Sequence, residues 1–217
     1  MSKRKDGLER RTLLLDAATK VFAEKGFHNT TIHDICNEAH SNIASVNYYF
    51  RSKENLYAEV WHNAFQKALD KYPLDGGLAP NAGPVERLKA LIRSHLHRML
   101  DAGTLGHAGQ ILLMELANPT EAIELVKNDA ISPLREHIRG IIRDLLGNEA
   151  TDNKVNFCAM SIIHLCFGIG LKRGKFPAFT ASMSKESLFE ALVEHITLFS
   201  LGGINAVKES QDVFEKS

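Results

Sequence analysis

The sequence has few of the features that identify secreted, membrane-spanning or highly charged proteins. Only three of its 217 residues are cysteine, and their wide spacing provides neither a disulfide framework nor a paired-cysteine zinc motif. The 26 basic residues equal the 26 acidic residues in number, which argues against polyanion binding driven by bulk charge. The longest nearly uncharged stretch, residues 155–171, is shorter than the ~20 residues that span a bilayer. We therefore expect a reduced, cytoplasmic protein without a membrane segment.

Apolar residues recur at helical spacing along most of the chain, and the alternation typical of β-strands is not sustained anywhere. Leu14, Ala18 and Phe22 form one such stripe, which Gly26 ends. A segment rich in proline and glycine interrupts the helical pattern at residues 73–84. The pattern predicts an all-α fold of about nine helices, four before this segment and five after it.

Residues 30–56 read TTIHDICNEAHSNIASVNYYFRSKENL and predict two short helices joined by a turn. Thr30 or Thr31 is expected to cap the first helix, and Asp34, three residues after Thr31, makes a pair that resembles a capping box. Asn42 is expected to cap the second helix, in which Val46 and Phe50 would point into the core. This arrangement is a helix-turn-helix whose second helix has the size that enters the major groove of DNA.

The surface of that second helix combines small and aromatic side chains. Ala44 and Ser45 allow a close approach to base edges, while Asn47 and Tyr48 can hydrogen-bond to bases or pack against the thymine methyl group. The residues expected to hold phosphate groups are Thr31, Tyr49 and Lys53. The predicted partner is a double-stranded DNA operator.

The segment resembles the DNA-binding domain of the TetR family of transcriptional regulators. The family's first motif corresponds to VFAEKGFHNTT at residues 21–31, and its second to IHDICNEAHSNIASVNYYFRSKENL at residues 32–56. Departures from the family pattern are His40 in place of a turn glycine, Cys36 in place of a core alanine, and Asn47 where tyrosine is commonest. His40 would have to adopt a left-handed backbone conformation, at a cost of about 1 kcal/mol relative to glycine.

The resemblance implies which residues contact DNA and how the rest of the chain is used. The family contacts fall on Thr31, Asn42, Ile43, Ala44, Ser45, Asn47, Tyr48, Tyr49 and Lys53. Asn42 and Ile43 can alternatively serve only as a helix cap and a packing residue. The resemblance further implies a second helical domain that binds an inducing ligand and forms a homodimer through helices 152–172 and 185–201. A weaker similarity to a subgroup concerns ELANPT at residues 115–120.

These observations predict how the chain is divided. We expect a helix-turn-helix DNA-binding domain over residues 1–56, with a connecting helix at 53–72 and a flexible connection at 73–84. A helical bundle for ligand binding and dimerisation would follow over residues 85–203. Gly202-Gly203 are expected to stop the last helix, which would leave a frayed tail at 204–217.

Helices 85–102, 106–117 and 152–172 are the candidates for a ligand pocket, because they carry a few polar groups among apolar neighbours. The residues expected to line it are His95, Met99, Gln110, Met114, His164 and Phe167. No cluster of arginine or lysine appears on these helices beyond Arg93 and Arg98, so we expect a largely apolar, aromatic or mildly polar inducer. The histidine and cysteine spacings do not favour a metal site, and we expect no cofactor.

Other interpretations of these segments remain open. The basic N-terminus (Lys3, Arg4, Lys5, Arg10, Arg11) is either a disordered solvated arm or a segment that lies along the DNA. GIGLKRG at 168–174 is better explained as a glycine-rich helix end than as a nucleotide-binding loop, and no catalytic motif is present. The main alternative to a regulator is a ligand-binding or enzymatic helical protein with a vestigial helix-turn-helix.

Overall fold

Helices account for nearly all of the regular structure. The computed structural model describes residues 2–101, 106–123, 132–172 and 180–210, and within these ranges it contains nine α-helices and no β-strand. In chain order the helices are α1 (Ser2–Asn29), α2 (Ile32–Glu38), α3 (Ile43–Phe50), α4 (Lys53–Lys71), α5 (Pro84–Leu100), α6 (Gly106–Ala117), α7 (Ser132–Leu146), α8 (Asp152–Lys172) and α9 (Lys185–Glu209). A short 3-10 helix, Glu121–Ile123, follows α6. The predicted all-α fold is confirmed for the described residues.

The helices form two units, each with its own core. The first unit spans residues 1–71 and also takes in residues 101–131. It therefore contains α6, although the predicted second domain, residues 85–203, includes this helix. α6 packs against α1 and α4, and this long-range packing decides which unit it joins. The second unit contains α5, α7, α8 and α9.

The core of the first unit is built from one face each of α1 and α4, with the short helices α2 and α3 against them. Its side chains that are almost fully buried include Leu14, Ala18, Phe22, Ile35, Val46, Phe50, Leu56, Tyr57, Val60 and Trp61. Phe22 meets the Tyr57 ring edge to face, with centroids 4.9 Å apart. Burying apolar side chains from all these helices is what holds the short α2 and α3 in place.

The core of the second unit is a continuous apolar cluster contributed by four helices. Its buried members include Leu88, Ile92 and Leu96 of α5, Ile138, Ile141 and Ile142 of α7, Val155, Ala159 and Ile162 of α8, and Val193 and Ile196 of α9. Ion pairs join the helices at the edge of this core, such as the pair between Arg87 of α5 and Asp144 of α7. The described part of residues 73–84 forms hydrogen-bonded turns, among them one from the Gly76 amide to the Pro73 carbonyl at 3.0 Å.

Three described backbone positions of the first unit have a positive φ: Gly26, His40 and Arg51, the last of which follows α3 with φ 68°. Gly26 interrupts α1 with φ 74° and ψ 169°, and a Cβ there would lie 3.2 Å from Sδ of Met114. Only glycine satisfies both the positive φ and the close approach. His40, between α2 and α3, has φ 47°, which confirms the predicted left-handed conformation.

Both ends of the chain differ from the sequence-based expectations. The backbone from Ser2 is helical and continuous with α1, so it is not the disordered arm that the basic composition suggests. At the other end, α9 runs through Gly202-Gly203 to Glu209, and the prediction that the glycines stop this helix is wrong.

Packing explains why α9 continues past the two glycines. Ile204 is buried in the core of the second unit, and Val207 packs against that core. The Lys154 ammonium also donates to the backbone carbonyl of Ser210 at 3.1 Å. Residues 204–209 are therefore held in the helix rather than frayed, whereas the expected frayed segment from residue 211 lies outside the described residues.

We expect His40→Gly to increase the free energy of unfolding by up to about 1 kcal/mol, because glycine adopts a positive φ without steric cost. Chemical denaturation of both proteins measures this difference. The control is Leu13→Gly, at an exposed position inside α1, which should destabilise the protein by about 0.5–1 kcal/mol. A loss of stability on His40→Gly would contradict the assigned strain.

Candidate functional site

The first helix of the motif is held by the cap that the sequence predicts. The Thr31 hydroxyl accepts a hydrogen bond from the Asp34 amide at 3.1 Å, and the Asp34 carboxylate accepts from the Thr31 amide at 2.9 Å. The Lys25 ammonium lies 2.7 Å from this carboxylate. Lys25, and then Thr31, hold the pKa of Asp34 well below its usual range. α2 thus begins at a complete capping box.

The second helix of the motif presents one face to the core and the other to solvent. Asn42 caps α3 by accepting from the Ser45 amide at 2.9 Å, while Val46 and Phe50 are buried. Tyr48 is 80% exposed and Ile43 is 50% exposed. Large apolar and aromatic side chains at such exposure, on a helix held from behind, indicate a surface that contacts another molecule.

The structure places the nine predicted DNA contacts as follows. Six are exposed: Thr31, Asn42, Ile43, Ala44, Asn47 and Tyr48. The other three, Ser45, Tyr49 and Lys53, are partly buried. All nine lie on α3 or at the N-terminal ends of the helices before and after it.

Lys53 has an internal role that the sequence did not reveal. Its ammonium donates to the backbone carbonyls of Phe27 at 3.0 Å and Thr30 at 3.1 Å, and lies 4.2 Å from the centroid of the Phe27 ring. A lysine ammonium has three N–H groups, so these bonds leave one of them for an outside partner. Lys53 therefore secures the connection between α1 and α2, and any contact it makes with phosphate is made from this anchored position.

The N-terminal part of α1 runs beside the end of α3. A Cβ at Gly7 would lie 3.6 Å from the Tyr49 hydroxyl oxygen. Arg11, one of the basic residues of the expected arm, pairs with Glu59 and lies 5.2 Å from the centroid of the Phe50 ring. Arg11 is thus used inside the unit, whereas Arg10 is exposed.

A buried polar network joins α4 to α6. The Tyr57 hydroxyl donates to one oxygen of Glu115 at 2.8 Å, and the Thr120 amide and hydroxyl donate to the other at 2.6 and 2.9 Å. Burial raises the pKa of Tyr57, so its hydroxyl stays protonated and remains a donor. Glu115 and Thr120 are the first and last residues of ELANPT, whose role here is to close the turn after α6.

The six predicted ligand residues do not form one set. His95, Met99 and Phe167 are buried together in the second unit, and the His95 and Phe167 rings meet edge to face at 5.2 Å. Gln110 and Met114 lie on α6 of the first unit. His164 is exposed, and its Nδ1 lies 2.7 Å from the Met160 carbonyl oxygen. Met114 lines a cavity of about 230 Å³ within the first unit.

Arg98 is a further buried polar residue of α5, for which the sequence pattern predicts no contact. It lies one helical turn after His95, and its guanidinium is buried with Nη1 donating to the Tyr72 carbonyl at 2.6 Å. Burial lowers the pKa of His95 to about 3, with a smaller contribution from the Arg98 charge. Burial also lowers the pKa of Arg98 to about 10. At neutral pH the pair is a neutral imidazole beside a charged guanidinium. The (i, i+3) spacing of His95 and Arg98 is the sequence feature that could have indicated that the two side chains lie on one face of the helix.

An exposed apolar face runs along α8 and α9. Its large members with the highest exposure are Phe157, Met160, Leu165, Leu198 and Phe199. A groove of about 150 Å³ lies between the two helices along this face. The described residues hold no group of three histidine, cysteine, aspartate or glutamate side chains placed to bind a metal ion.

Comparison with known proteins gives matches to two family models, one in the N-terminal part of the chain and one in the C-terminal part. Residues 14–60 match the family model described as bacterial regulatory proteins, tetR family. Residues 84–204 match the C-terminal domain of the HTH-type transcriptional dual regulator CecR.

Two similar bacterial regulators align over most of this chain, and a solved structure shares its fold. The CecR regulator of Shigella flexneri is 28% identical over 218 residues, covering 90% of this chain and 93% of that protein. The HTH-type transcriptional repressor NicS of Pseudomonas putida is 27% identical and covers 77% of this chain and 79% of its own. The crystal structure of AibR with isovaleryl coenzyme A and operator DNA is 17% identical, with a TM-score of 0.67, and covers 86% of this chain and 97% of that one.

We expect the protein to lose about 2 kcal/mol of stability between pH 7.5 and pH 5 through His95 alone. The pKa of His95 in the folded state is far below its unfolded value near 6.5, so the unfolded chain binds the extra proton. The contribution of His95 to the free energy of unfolding is fully present above the pKa of the unfolded state. It is lost as the pH drops towards the pKa of the folded state. Thermal denaturation of the wild type, of His95→Gln and of exposed His164→Gln would check this. Equal acid sensitivity in all three would contradict it.

Proposed function

The chain belongs to the TetR family of bacterial regulatory proteins, and on that premise we propose that it is a dimeric repressor released from a palindromic operator by a small molecule. It is a transcriptional regulator with a helix-turn-helix DNA-binding domain. The observation that carries the operator proposal is the exposed face of α3, where Tyr48 projects from a helix whose opposite side is buried. We place its action in the cytoplasm, where the operator is.

In this proposal α3 enters the major groove. Ala44 brings the helix close to the base edges, while Asn47 and Tyr48 contact bases. The exposed methyl groups of Ile43 suit the thymine methyl, whose contact would remove apolar surface from water. Asn42 also caps α3, so it orients the helix whether or not it touches DNA.

Phosphate groups would be held on either side of α3. Thr31 lies at the start of α2, and Lys53 lies at the start of α4, where the first amides of a helix favour an anion. The third N–H of Lys53 is the one that would donate a charge-assisted hydrogen bond to phosphate, from a side chain that two carbonyls already hold in place. Partly buried Tyr49 adds a hydroxyl donor near the N-terminal part of α1.

A second copy of this chain is the proposed occupant of the apolar face on α8 and α9. The helices predicted for dimerisation, 152–172 and 185–201, are the ones that carry the exposed Phe157, Leu198 and Phe199. α9 also has the length and apolar composition of a membrane span. Its Glu190 and Glu194 pair with arginine and lysine of α5, so its other face packs within the protein rather than facing lipid.

Two-fold pairing explains how short recognition helices specify a site. One helix contacts only a few base pairs, whereas a dimer reads two half-sites about 34–36 Å apart. An inducer acts by favouring a dimer that cannot span both half-sites, and its effect is limited by its differential affinity for the two states. A coupling of about 1–3 kcal/mol lowers operator affinity about 5–150-fold. The proteins that this chain resembles are regulators, which disfavours the enzyme alternative.

We expect Tyr48→Ala and Lys53→Ala to weaken DNA binding in different ways. Tyr48→Ala should cost about 1–3 kcal/mol at the operator and leave binding to random DNA nearly unchanged, because it removes a base contact. Lys53→Ala should weaken binding to both duplexes and reduce the salt slope by about one unit. Mobility shifts over a salt series, with an operator selected from random DNA, measure both effects.

The internal contacts of Lys53 require a stability control in that experiment. Lys53→Ala also removes the bonds to two backbone carbonyls, so its thermal midpoint is measured beside its DNA affinity. Exposed Met183→Ala, outside the DNA-binding unit, serves as the neutral variant. Equal loss of operator and random-DNA affinity in Tyr48→Ala would refute base readout by Tyr48, and wild-type protein without operator preference would refute the proposed function.

We expect Phe199→Glu to convert the protein from a dimer into a monomer at micromolar concentration, because a charge would be buried in the apolar interface. Light scattering gives the mass directly. Met183→Glu places the same charge on another exposed apolar residue, outside α8 and α9, and should leave the dimer intact. A monomeric wild type that still binds its operator tightly would exclude the proposed dimer.

A further inference from the structure

The core of the second unit holds a positive charge to which no acidic side chain of the described residues is hydrogen-bonded. Arg98 is 4% exposed, and its Nη1 donates to the Tyr72 carbonyl at 2.6 Å. Its Nη2 has no hydrogen-bond partner among the described residues. The guanidinium remains charged at neutral pH even though burial lowers its pKa to about 10. A buried charge that keeps an unpartnered nitrogen is strongly destabilising unless a partner is supplied.

Neither the His95 imidazole nor the Cys166 thiol near Arg98 neutralises its charge. His95 Nε2 is also buried and unpartnered among the described residues, and its imidazole is neutral at physiological pH. Burial raises the pKa of Cys166 to about 12, so the nearby thiol does not provide a thiolate. Arg98 and His95 thus present two unsatisfied polar atoms on one face of α5.

The surroundings of these two atoms are apolar. The Phe167 ring lies against the His95 ring at 5.2 Å, and Met99 is 4% exposed. The Met99 thioether approaches the backbone of α8 so closely that a Cβ at Gly170 would lie 3.2 Å from its sulfur. Apolar walls with a few convergent polar groups are typical of small-molecule sites.

We propose that Arg98 and His95 form the polar end of the inducer site, and that the inducer carries one carboxylate on an apolar body. Nη2 of Arg98 donates a charge-assisted hydrogen bond to the carboxylate, and His95 donates a second one from Nε2. Phe167 and Met99 contact the apolar body. This inference rests on the proposed ligand-responsive function. It replaces the largely apolar, aromatic or mildly polar inducer expected from the sequence with one that carries an anionic group.

The first test uses the ligand-free, full-length protein. Arg98→Met removes the buried charge while keeping the length of the side chain, and should raise the thermal midpoint by about 2–4 °C. The matched control is Arg93→Met on the same helix, where the exposed arginine pairs with Glu190, and no rise is expected there. A lower midpoint for Arg98→Met would show that Arg98 serves the Tyr72 carbonyl as a structural residue, and would overturn the proposal.

The second test compares probes that differ only in the polar group. Octanoate and 4-phenylbutyrate are titrated by calorimetry beside the alcohol and the amine of the same carbon skeletons. We expect only the carboxylates to bind, with affinity about tenfold or more weaker in Arg98→Met and unchanged in Arg93→Met. Equal binding of alcohols, undiminished binding to Arg98→Met, or binding by neither carboxylate would each show that the proposal is wrong.

A third measurement separates this inference from the proposed function. Ligand-free Arg98→Met should shift the operator duplex as the wild type does, and octanoate or 4-phenylbutyrate should release only the wild type. If the carboxylates bind but never alter operator affinity, Arg98 and His95 form a ligand site, and the proposal that its ligand is an inducer is wrong. A wild type that does not recognise an operator would refute the proposed function while leaving the calorimetry unaffected.

Discussion

The anchored ammonium of Lys53 is the contact on which the DNA-binding unit depends. It holds the end of α1 and the segment before α2 through two backbone carbonyls, and it packs on the Phe27 ring. Phe27 in turn lies 4.9 Å from the Tyr57 ring, and the Tyr57 hydroxyl donates to Glu115 of α6. Because α2 and α3 are too short to be stable alone, their placement relies on this chain of contacts.

The features that disfavour stability coincide with the proposed functions. Tyr48 and Phe199 expose aromatic surface that a monomeric soluble protein would gain by burying, and Arg98 buries a charge that it would gain by exposing. The proposed partners, namely DNA, a second copy of the chain and an anionic ligand, would each resolve one of these conflicts. Local departures from good packing at otherwise well-packed positions are what functional sites require.

The motif was predictable at the level of single residues because its signals are local. Thr31 and Asn42 cap their helices as expected, and His40 has the left-handed backbone that replacing the turn glycine requires. Lys53 was predicted at the surface, and its inward bonds were missed because their acceptors lie 23 and 26 residues earlier in the chain. No local pattern indicates that a lysine at a helix start will reach backwards to two carbonyls.

The sequence by itself determined the helical fold, the caps and the helix-turn-helix, since helical periodicity and capping act over three or four residues. Tertiary structure decided which unit α6 joins, how far α9 continues past Gly202-Gly203, and which of the ligand candidates come together. It also decided that Arg98 is buried. These properties depend on contacts between residues far apart in the chain, where burial and desolvation override local preference.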